Sequence, residues 1–574
     1  MKARPFLAAV LAAAVLLFGL GIGGWWLLLQ RSPLALQQHA LSLPLAARFV
    51  PRSVPLSLHW LVAADEPAAY LRAVARPGER RKAAAAAERL RDGVFATAGL
   101  DYASELAPWL GEEISLALLT PPAPDHPPGW VLALRSRDPE GARRFLQRFW
   151  QTRSLAGTDL QISSYRGMGL ISGRGALVGQ QPQPIATALI NDDLVLIASG
   201  RGALEQALDV SQIEELNQAG SPQLQQAVRR LGKGVVLLTA RSGALGGWLG
   251  LPAPGAGLAP APGAAPGAGA GEAAVEELVL ALAPAGRGLE LAGLVQLGQP
   301  LPLTPLSDGE PLLQQIALPA SSLALVQNPA ALLAAESPWR PLATSLLALA
   351  LPPSAGPLPA LVAGADGGPL LGARSDQGWL LGSRQDQPDP AGLAAPLAEA
   401  GYAPAPLLLK QQPLLVWSQL LSKPVKGNPD QLQARLAGAR APGSPAGSGA
   451  SPDLAWWAEG LAALETQLEG HHPPKERLQQ LEALQSPQAP LQWAMDGATA
   501  RSLLAAWQPW RLLVALTGSD GTLAEAVRGA AFSLEADPGG DGAGRDPGAA
   551  DLGAAVSTSG DRLLRLRGQL QFQG

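Results

Sequence analysis

The chain of 574 residues contains no cysteine, and this absence excludes several kinds of site at once. Disulfides, thiolate zinc sites, iron–sulfur clusters and cysteine nucleophiles all need a thiol. Charged residues are also scarce, at 16% of the chain, and the net charge is −4. A chain without a basic excess gives no indication of nucleic acid as a partner. Methionine and tyrosine are rare, whereas Ala, Gly, Pro and Arg are abundant, so any single Gly, Ala or Arg carries little information.

Catalytic and cofactor motifs are missing as well. HExxH, the Walker loop and the GxSxG elbow do not occur in the sequence. Of the five histidines only His471 and His472 are neighbours, and they precede two prolines, which is typical of a solvated loop. The sequence therefore predicts no metal site, no cofactor and no catalytic residue.

One long apolar run is present, and it contains no charged residue from Phe6 to Leu29. Its 24 residues would form a helix of about 36 Å, which exceeds the hydrocarbon core of a bilayer. Trp25 and Trp26 near its end suit the membrane interface. We expect an uncleaved signal-anchor that contacts the lipid bilayer through residues 6–29. A cleaved signal peptide is the alternative, although the bulky end of the run does not resemble a cleavage site.

The charges around this run predict its orientation. Lys2, Arg4 and the free amino group precede it, and Arg31 follows it. The positive-inside rule then places the N-terminus in the cytoplasm and residues 31–574 outside it. Gly19 and Gly23 form a GxxxG pair, which allows self-association of two such helices.

The rest of the chain divides by composition. Residues 252–272 are almost entirely Gly, Ala and Pro, and they form either a linker between domains or a long inserted loop. We predict a cytoplasmic tip and anchor at 1–30, a first module at 31–251, and a second module at 273–574. Two insertions, near 441–453 and 536–550, are predicted to be disordered.

The order of predicted elements indicates an α+β fold built from antiparallel sheets with helices on one face. In the first module, GWVLALRS (129–136) reads as a strand, and DPEGARRFLQRFW begins a helix with Asp138 as its N-cap. GWLLGSR (378–384) and a following acidic-Pro helix start repeat this order, with LPALVAGADG (358–367) in the place of the strand ISLALL. We therefore predict a duplicated module. DLAWWAEGLAALETQLEG (453–470) is predicted to be one amphipathic helix.

Three motifs resemble a known family. They are the segments Phe49–Val50–Pro51, Gly99–Leu100–Asp101–Tyr102 and Pro108–Trp109–Leu110–Gly111–Glu112–Glu113. The chain resembles a cyanobacterial family of single-span proteins known as domain of unknown function 3352. The resemblance implies this architecture and origin, and it implies no chemistry.

The two acids of the last motif are candidate catalytic groups. Glu112 and Glu113 are neighbours at the start of a predicted strand and so point to opposite faces. They cannot form the facing pair that glycoside hydrolysis requires. We expect a structural role, with Trp109 and Leu110 packed in the core and both acids solvated.

The leading hypothesis for function is a membrane-anchored, extracytoplasmic and non-enzymatic binding or assembly factor, located in the periplasm or the thylakoid lumen. A protein partner is expected, and nucleic acid is not. Two alternatives stay open. One is a hydrolase of envelope material that uses dispersed acidic residues, and the other is a structural lipid- or pigment-associated protein.

Overall fold

A computed structural model describes the chain from residue 32 to residue 572 with gaps. The described ranges are 32–97, 99–120, 129–155, 160–175, 183–247, 275–302, 304–307, 309–337, 339–350, 356–365, 368–384, 387–425, 428–442, 454–470, 472–516, 525–537 and 562–572. The predicted span at 6–29 and the linker at 252–272 lie outside these residues, as do 443–453 and 538–550 of the two predicted insertions. Within the described part, no helix is both long and apolar enough to cross a membrane.

The described strands form one antiparallel sheet. The first ten are β1 Leu56–Trp60, β2 Leu110–Leu118, β3 Trp130–Ser136, β4 Gln161–Tyr165, β5 Met168–Gly175, β6 Gln183–Ile190, β7 Leu194–Ala198, β8 Val236–Arg241, β9 Val275–Ala285 and β10 Gly288–Leu297. The second ten are β11 Ser322–Gln327, β12 Pro369–Ser375, β13 Gly378–Arg384, β14 Ala403–Leu409, β15 Gln412–Val425, β16 Asn428–Pro442, β17 Leu454–Ala458, β18 Leu491–Asp496, β19 Val527–Ala536 and β20 Leu563–Phe572.

The described helices connect and cover these strands. In the first part of the chain they are α1 Glu66–Val74, α2 Arg80–Thr97, α3 Pro139–Leu155, α4 Arg201–Val210, α5 Pro222–Leu231 and α6 Ser242–Gly247. In the second part they are α7 Glu310–Gln315, α8 Pro329–Leu333, α9 Arg340–Ala350, α10 Leu358–Ala365, α11 Pro390–Glu399, α12 Leu461–Glu469, α13 Lys475–Ala483, α14 Gly497–Ala506 and α15 Gln508–Leu516.

The strand order repeats about the middle of the sheet. The first ten strands pair in the order β4-β5-β6-β7-β3-β2-β1-β8-β9-β10, and the second ten pair as β14-β15-β16-β17-β13-β12-β11-β18-β19-β20. The two halves join through β10 and β20, which pair from Gly288↔Gln571 to Gln296↔Leu563. The observed fold is thus α+β, with a large antiparallel sheet and helices packed on it.

The pairing of the strands places the end of the first set of strands at a different residue from the boundary that the composition suggests. β9 and β10 follow residues 252–272 but pair with β8 of the first half. Residues 275–297, which the sequence analysis assigned to the second module, therefore complete the first ten strands. A Gly/Ala/Pro-rich segment indicates where a loop tolerates a long insertion, and such an insertion can lie between two strands of one sheet.

Local signals placed several elements correctly. Asp138 Oδ1 accepts a hydrogen bond from Glu140 N at 3.1 Å at the start of α3. The face of α3 that carries Phe145, Leu146, Phe149 and Trp150 is buried. The GW-led segments form β3 and β13, each preceding a helix.

Two predicted elements were wrong. LPALVAGADG was expected to be a strand, but Leu358–Ala365 is helix α10, and the strand in that place is β12. DLAWWAEGLAALETQLEG was expected to be one helix, but its first part is strand β17 with all five residues buried, and the helix begins at Leu461. A strand buried on both faces shows no alternation, so periodicity alone does not distinguish it from a buried helix.

Candidate functional site

The family-like motif at residues 108–113 leads into β2. Pro108 is exposed, whereas Trp109, Leu110 and Gly111 are buried. The Trp109 indole Nε1 donates to the Glu105 carbonyl at 2.7 Å, and its ring lies 5.0 Å from that of Phe145. These residues therefore anchor the start of β2 to helix α3.

The two acids of this motif have different surroundings. Glu112 is exposed, but Glu113 is only 6% exposed, which corrects the expectation that both acids are solvated. The Glu113 carboxylate accepts hydrogen bonds from Leu45 N at 2.9 Å and from Ala46 N at 2.7 Å. These two N–H groups belong to the first turn of a 3₁₀ helix, Leu45–Phe49, which lacks a side-chain cap of its own. Glu113 thus supplies the missing acceptor.

We call this contact, together with its neighbours, the N-terminal clasp. It joins residues 45–52 to β2 and to the loop around residue 217. Gln218 N donates to the Val50 carbonyl at 2.9 Å, and Arg52 N donates to the Leu216 carbonyl at 2.7 Å. The clasp holds the segment that follows the predicted anchor firmly on the sheet.

A buried polar network lies beside the clasp. His59 Nδ1 lies 2.8 Å from Ser115 Oγ, and His59 Nε2 lies 3.1 Å from Ser57 Oγ. Ser57 Oγ also lies 2.7 Å from Thr239 Oγ1. Gln218 contacts both hydroxyls, at 3.1 Å each. The polar atoms of these side chains therefore satisfy one another inside the protein.

The network contains a serine–histidine pair, but it is closed. His59 and Ser57 are 0% exposed, so no substrate can reach them. Burial also lowers the pKa of His59 to about 4, so the imidazole is neutral at neutral pH. The arrangement can orient and stabilise the strands, and it cannot act as an accessible nucleophile and base.

The second half of the sheet has apolar residues at the matching positions. When the pair Trp60↔Val236 is aligned with the pair Val326↔Leu491, Ser57 and His59 correspond to Leu323 and Leu325. By the same registers Thr239 corresponds to Ala494, and Ser115 to Leu371. Leu323, Leu325, Leu371 and Ala494 are all fully buried. The architecture thus forms with an apolar core at this place, and the polar network is particular to the first half.

A polar cleft is the candidate binding site. It has a volume of about 490 Å³ and is formed by α13, the β18–α14 junction, β19 and β20. Its lining consists of Glu476, Arg477, Gln479, Gln480, Asp496, Gly497, Arg528 and Gln571. Two cations and two carboxylates thus face a common space.

Two side chains of this cleft are buried with a polar atom that has no hydrogen-bond partner in the described residues. Arg477 is 4% exposed, and its Nη2 donates to Glu476 Oε2 at 2.8 Å, while its Nη1 has no partner. Gln480 is 5% exposed, and its Nε2 donates to Gln571 Oε1 at 3.0 Å, while its Oε1 has no partner. Leaving such groups unsatisfied costs about 1–3 kcal/mol each, and more for a charged group.

Nothing in the described residues suggests a metal site. No group of three or more His, Asp or Glu side chains is arranged there to hold an ion. The cleft residues were missed by the sequence analysis because they come from four separate stretches of a chain rich in arginine. The only short-range signal in the sequence was the spacing of Arg477 and Gln480, which lie three residues apart on α13.

Comparisons with known proteins give one family and some distant structures. The family model described as Protein of unknown function (DUF3352) matches residues 10–345, which is more than half of the chain. No curated protein matches the chain. Among solved structures, crystal form I of TP0453 matches with 11% identity and a TM-score of 0.26, covering 45% of this chain and 80% of that chain. Crystal form III matches with 11% identity and a TM-score of 0.25, covering 49% and 88%. At such TM-scores the likeness supports no argument about fold or function.

Proposed function

Since this chain belongs to the DUF3352 family of proteins of unknown function, we propose its role from the geometry: it is a membrane-anchored, non-enzymatic binding protein. Its cleft at Arg477 and Gln480 takes a small ligand that carries a carboxylate or phosphate group. The observation that carries this proposal is the buried Arg477 guanidinium, whose Nη1 has no partner in the described part of the chain.

The charges of the cleft support this ligand class. A buried guanidinium is costly unless an anion pairs with it. The Glu476 side chain that pairs with Nη2 is 86% exposed, so solvent weakens its compensation. Arg477 and Arg528 both line the cleft, so an anionic group bound there lies beside two positive charges.

The remaining polar groups define the other end of the ligand. Gln480 Oε1 is an unpaired acceptor, so the ligand should carry an N–H or O–H donor. Glu476 and Asp496 also line the cleft and favour a donor with positive charge. A zwitterion such as an amino acid or a peptide terminus combines both requirements.

Thermal unfolding of the full-length protein in detergent tests this proposal. Acetate, inorganic phosphate and glycine serve as probes, because they carry the anion alone or with an amine. At a concentration 100 times its Kd, a ligand stabilises the folded state by about 2.7 kcal/mol. We expect at least one probe to raise the Tm of the wild type and to leave that of Arg477→Met unchanged.

The Tm of Arg477→Met in the absence of ligand gives a second readout. Replacing a buried, incompletely paired charge by an apolar side chain of similar length is expected to raise the Tm in the absence of ligand. Arg511→Gln, an exposed arginine on α15, is the matched control and should respond to the probes like the wild type. A large loss of stability in Arg477→Met, with equal probe responses in all three proteins, would show that Arg477 is structural.

The anchor and the location belong to the same proposal. The apolar run at 6–29 and the charges around it support a single span with the described residues outside the cytoplasm. The cyanobacterial origin that the family resemblance implies would make this side the periplasm or the thylakoid lumen. A reporter fused to the C-terminus should be active only outside the cytoplasm, and activity inside would contradict this topology.

The repeated strand order supports a duplication of the ten-strand unit. We place the units at β1–β10 and β11–β20, because each set has the same internal order of pairing. Association of two anchors through Gly19 and Gly23 would bring two such sheets together. Crosslinking of full-length protein with and without Gly23→Leu tests this association, since the larger side chain should block it.

A further inference from the structure

The turn between α1 and α2 carries a dense group of exposed cations. Between residues 72 and 82 the sequence has five cations and a single acid, Glu79, in a chain whose net charge is −4. All five cations are exposed. We call them the basic turn, and they are Arg72, Arg76, Arg80, Arg81 and Lys82. This concentration of one sign produces a positive potential over that part of the surface.

The protein does not balance these charges itself. In the part of the chain that the structure describes, none of the five side chains forms an ion pair. Arg287 adds a sixth cation, because its Nε donates to the Val74 carbonyl at the end of α1, at 3.4 Å. Residues 80–82 form the first turn of α2, where the helix dipole favours carboxylates over cations. They therefore do not stabilise their own helix, and an anionic surface outside the protein would reduce the repulsion among them.

Hydrogen bonds order the backbone of the basic turn. Ala75 N donates to the Leu71 carbonyl at 3.0 Å and closes α1. Glu79 N then donates to the Arg76 carbonyl at 2.8 Å, and Ala83 N donates to the Glu79 carbonyl at 2.9 Å as α2 begins. Because the backbone is already ordered, a binding event orders only side chains, which lowers its entropic cost.

The segment that follows the predicted anchor packs beside the basic turn. The 3₁₀ helix at Pro33–Gln38 contacts α1, and Gln37 Nε2 donates to Tyr70 Oη at 3.0 Å. Tyr70 lies two residues before the first cation of the basic turn. At about 3.5 Å per residue, residue 33 lies within about 14 Å of Leu29, the end of the apolar run. An anchor at residues 6–29 would therefore hold the basic turn close to the bilayer surface.

We propose that the basic turn binds the anionic headgroups of the bilayer that holds residues 6–29, and so forms a second membrane contact. Each cation near an anionic bilayer adds to the attraction, which falls off over a Debye length of about 8 Å at physiological ionic strength. The position of the basic turn rests on the proposed anchor, whereas its charge does not. The contact is independent of ligand binding in the cleft.

Fluorescence of single-cysteine variants tests the proposal, and the lack of native cysteine makes each label unique. Gly78→Cys places a dye in the middle of the basic turn, where an added Cβ meets open space. Gly202→Cys is the matched control, because Gly202 is also exposed with open space around it. It follows the end of β7, at the opposite edge of the sheet from the end of β1 that precedes α1.

The labelled full-length proteins are reconstituted into vesicles of phosphatidylcholine alone or with phosphatidylserine, and a lipid with a nitroxide on its headgroup serves as the quencher. We expect phosphatidylserine and low salt to increase quenching at position 78 and not at position 202. Arg81→Gln should lower the equilibrium constant for the contact about fivefold. Arg562→Gln, an exposed arginine just before β20 at the opposite edge, should leave it unchanged.

Flotation with vesicles of phosphatidylcholine alone tests the anchor separately, because this lipid has no net charge. Protein that does not float with them would contradict the anchor, while quenching at position 78 would still decide whether the basic turn binds anionic lipid. Protein that floats but is quenched equally with and without phosphatidylserine would overturn the proposed contact and leave the anchor intact. Equal quenching at positions 78 and 202 would overturn it as well.

Discussion

The role of Glu113 in the N-terminal clasp predicts that substitutions of Glu113 and of its neighbour Glu112 have different effects on stability. In Glu113→Gln the amide keeps one acceptor for a backbone N–H, but its NH₂ group faces the second N–H in place of an oxygen. Ala46 N donates to Glu113 Oε1 at 2.7 Å in a buried position. The other carboxylate oxygen, Oε2, already accepts from Leu45 N. In Glu112→Gln the change is on the exposed face of β2, where water can hydrogen-bond to the new side chain.

The magnitude follows from the bond that is lost. A hydrogen bond to a charged group contributes about 1.5–3 kcal/mol net. Because Glu113 is 6% exposed, water does not replace the lost acceptor without opening the clasp. We therefore expect a loss of about 2 kcal/mol in the free energy of local opening, or about a 30-fold higher population of the open clasp. Glu112→Gln should change it by less than about 0.5 kcal/mol.

Hydrogen exchange measured by mass spectrometry on the full-length protein reports this opening directly. Amides of residues 45–50 exchange through local opening of the clasp, so their rate should rise about 30-fold in Glu113→Gln. A peptide from β13, in the other half, serves as the internal reference. Equal exchange of residues 45–50 in both variants would refute the role assigned to Glu113.

The remaining predictions concern other parts of the core. Because the pKa of His59 falls from 6.5 to about 4, the unfolded chain binds a proton that the folded chain does not, so stability should fall by about 3 kcal/mol between pH 6.5 and 4. His59→Leu should remove this slope in urea titrations at each pH. Asp537→Asn, with a side chain 1% exposed and 2.6 Å from Arg230 of α5, should cost about 3–5 kcal/mol by urea titration, against under about 1 kcal/mol for Glu535→Gln. In Gly529→Ala the added Cβ would lie 2.3 Å from Gln480 Nε2, so the Tm shift induced by the probes should shrink.

Short-range signals determined the elements that the sequence predicted well. Asn191 and Asp192 are a further short-range signal, because they form the turn between β6 and β7, and both have positive φ, at 47° and 64°, as a tight hairpin turn requires. The N-cap at Asp138 and the apolar face of α3 likewise depend on residues within two helical turns. Such features depend only on residues that are close in sequence, so a single sequence is enough to predict them.

Alternation was misleading in the centre of the first half. β2 buries Glu113, Ser115 and Ala117, while Ile114 and Leu116 on its other face are only partly buried. A reading based on hydrophobicity would assign the faces in the opposite way. The polar residues are buried because the clasp and the His59 network provide them with partners, and these partners come from distant parts of the chain.

The long-range pairing of strands could not be predicted from the sequence, because the partners are again distant along the chain. β10 pairs with β20 across more than 260 residues, and no local pattern specifies that register. The cleft depends on that pairing, because Gln571 of β20 and Arg528 of β19 reach α13 only in the assembled sheet. The residues that line the cleft therefore could not be predicted from one sequence.

Isothermal titration calorimetry of the full-length protein tests the central claim most directly, using the probe that raises the wild-type Tm. The account predicts saturable binding to the wild type and at least about a tenfold weaker affinity in Arg477→Met, since about 1.5–3 kcal/mol of charge-assisted hydrogen bonding is lost. Arg511→Gln should bind as the wild type does. Equal affinity in wild type and Arg477→Met would contradict a binding site at the cleft.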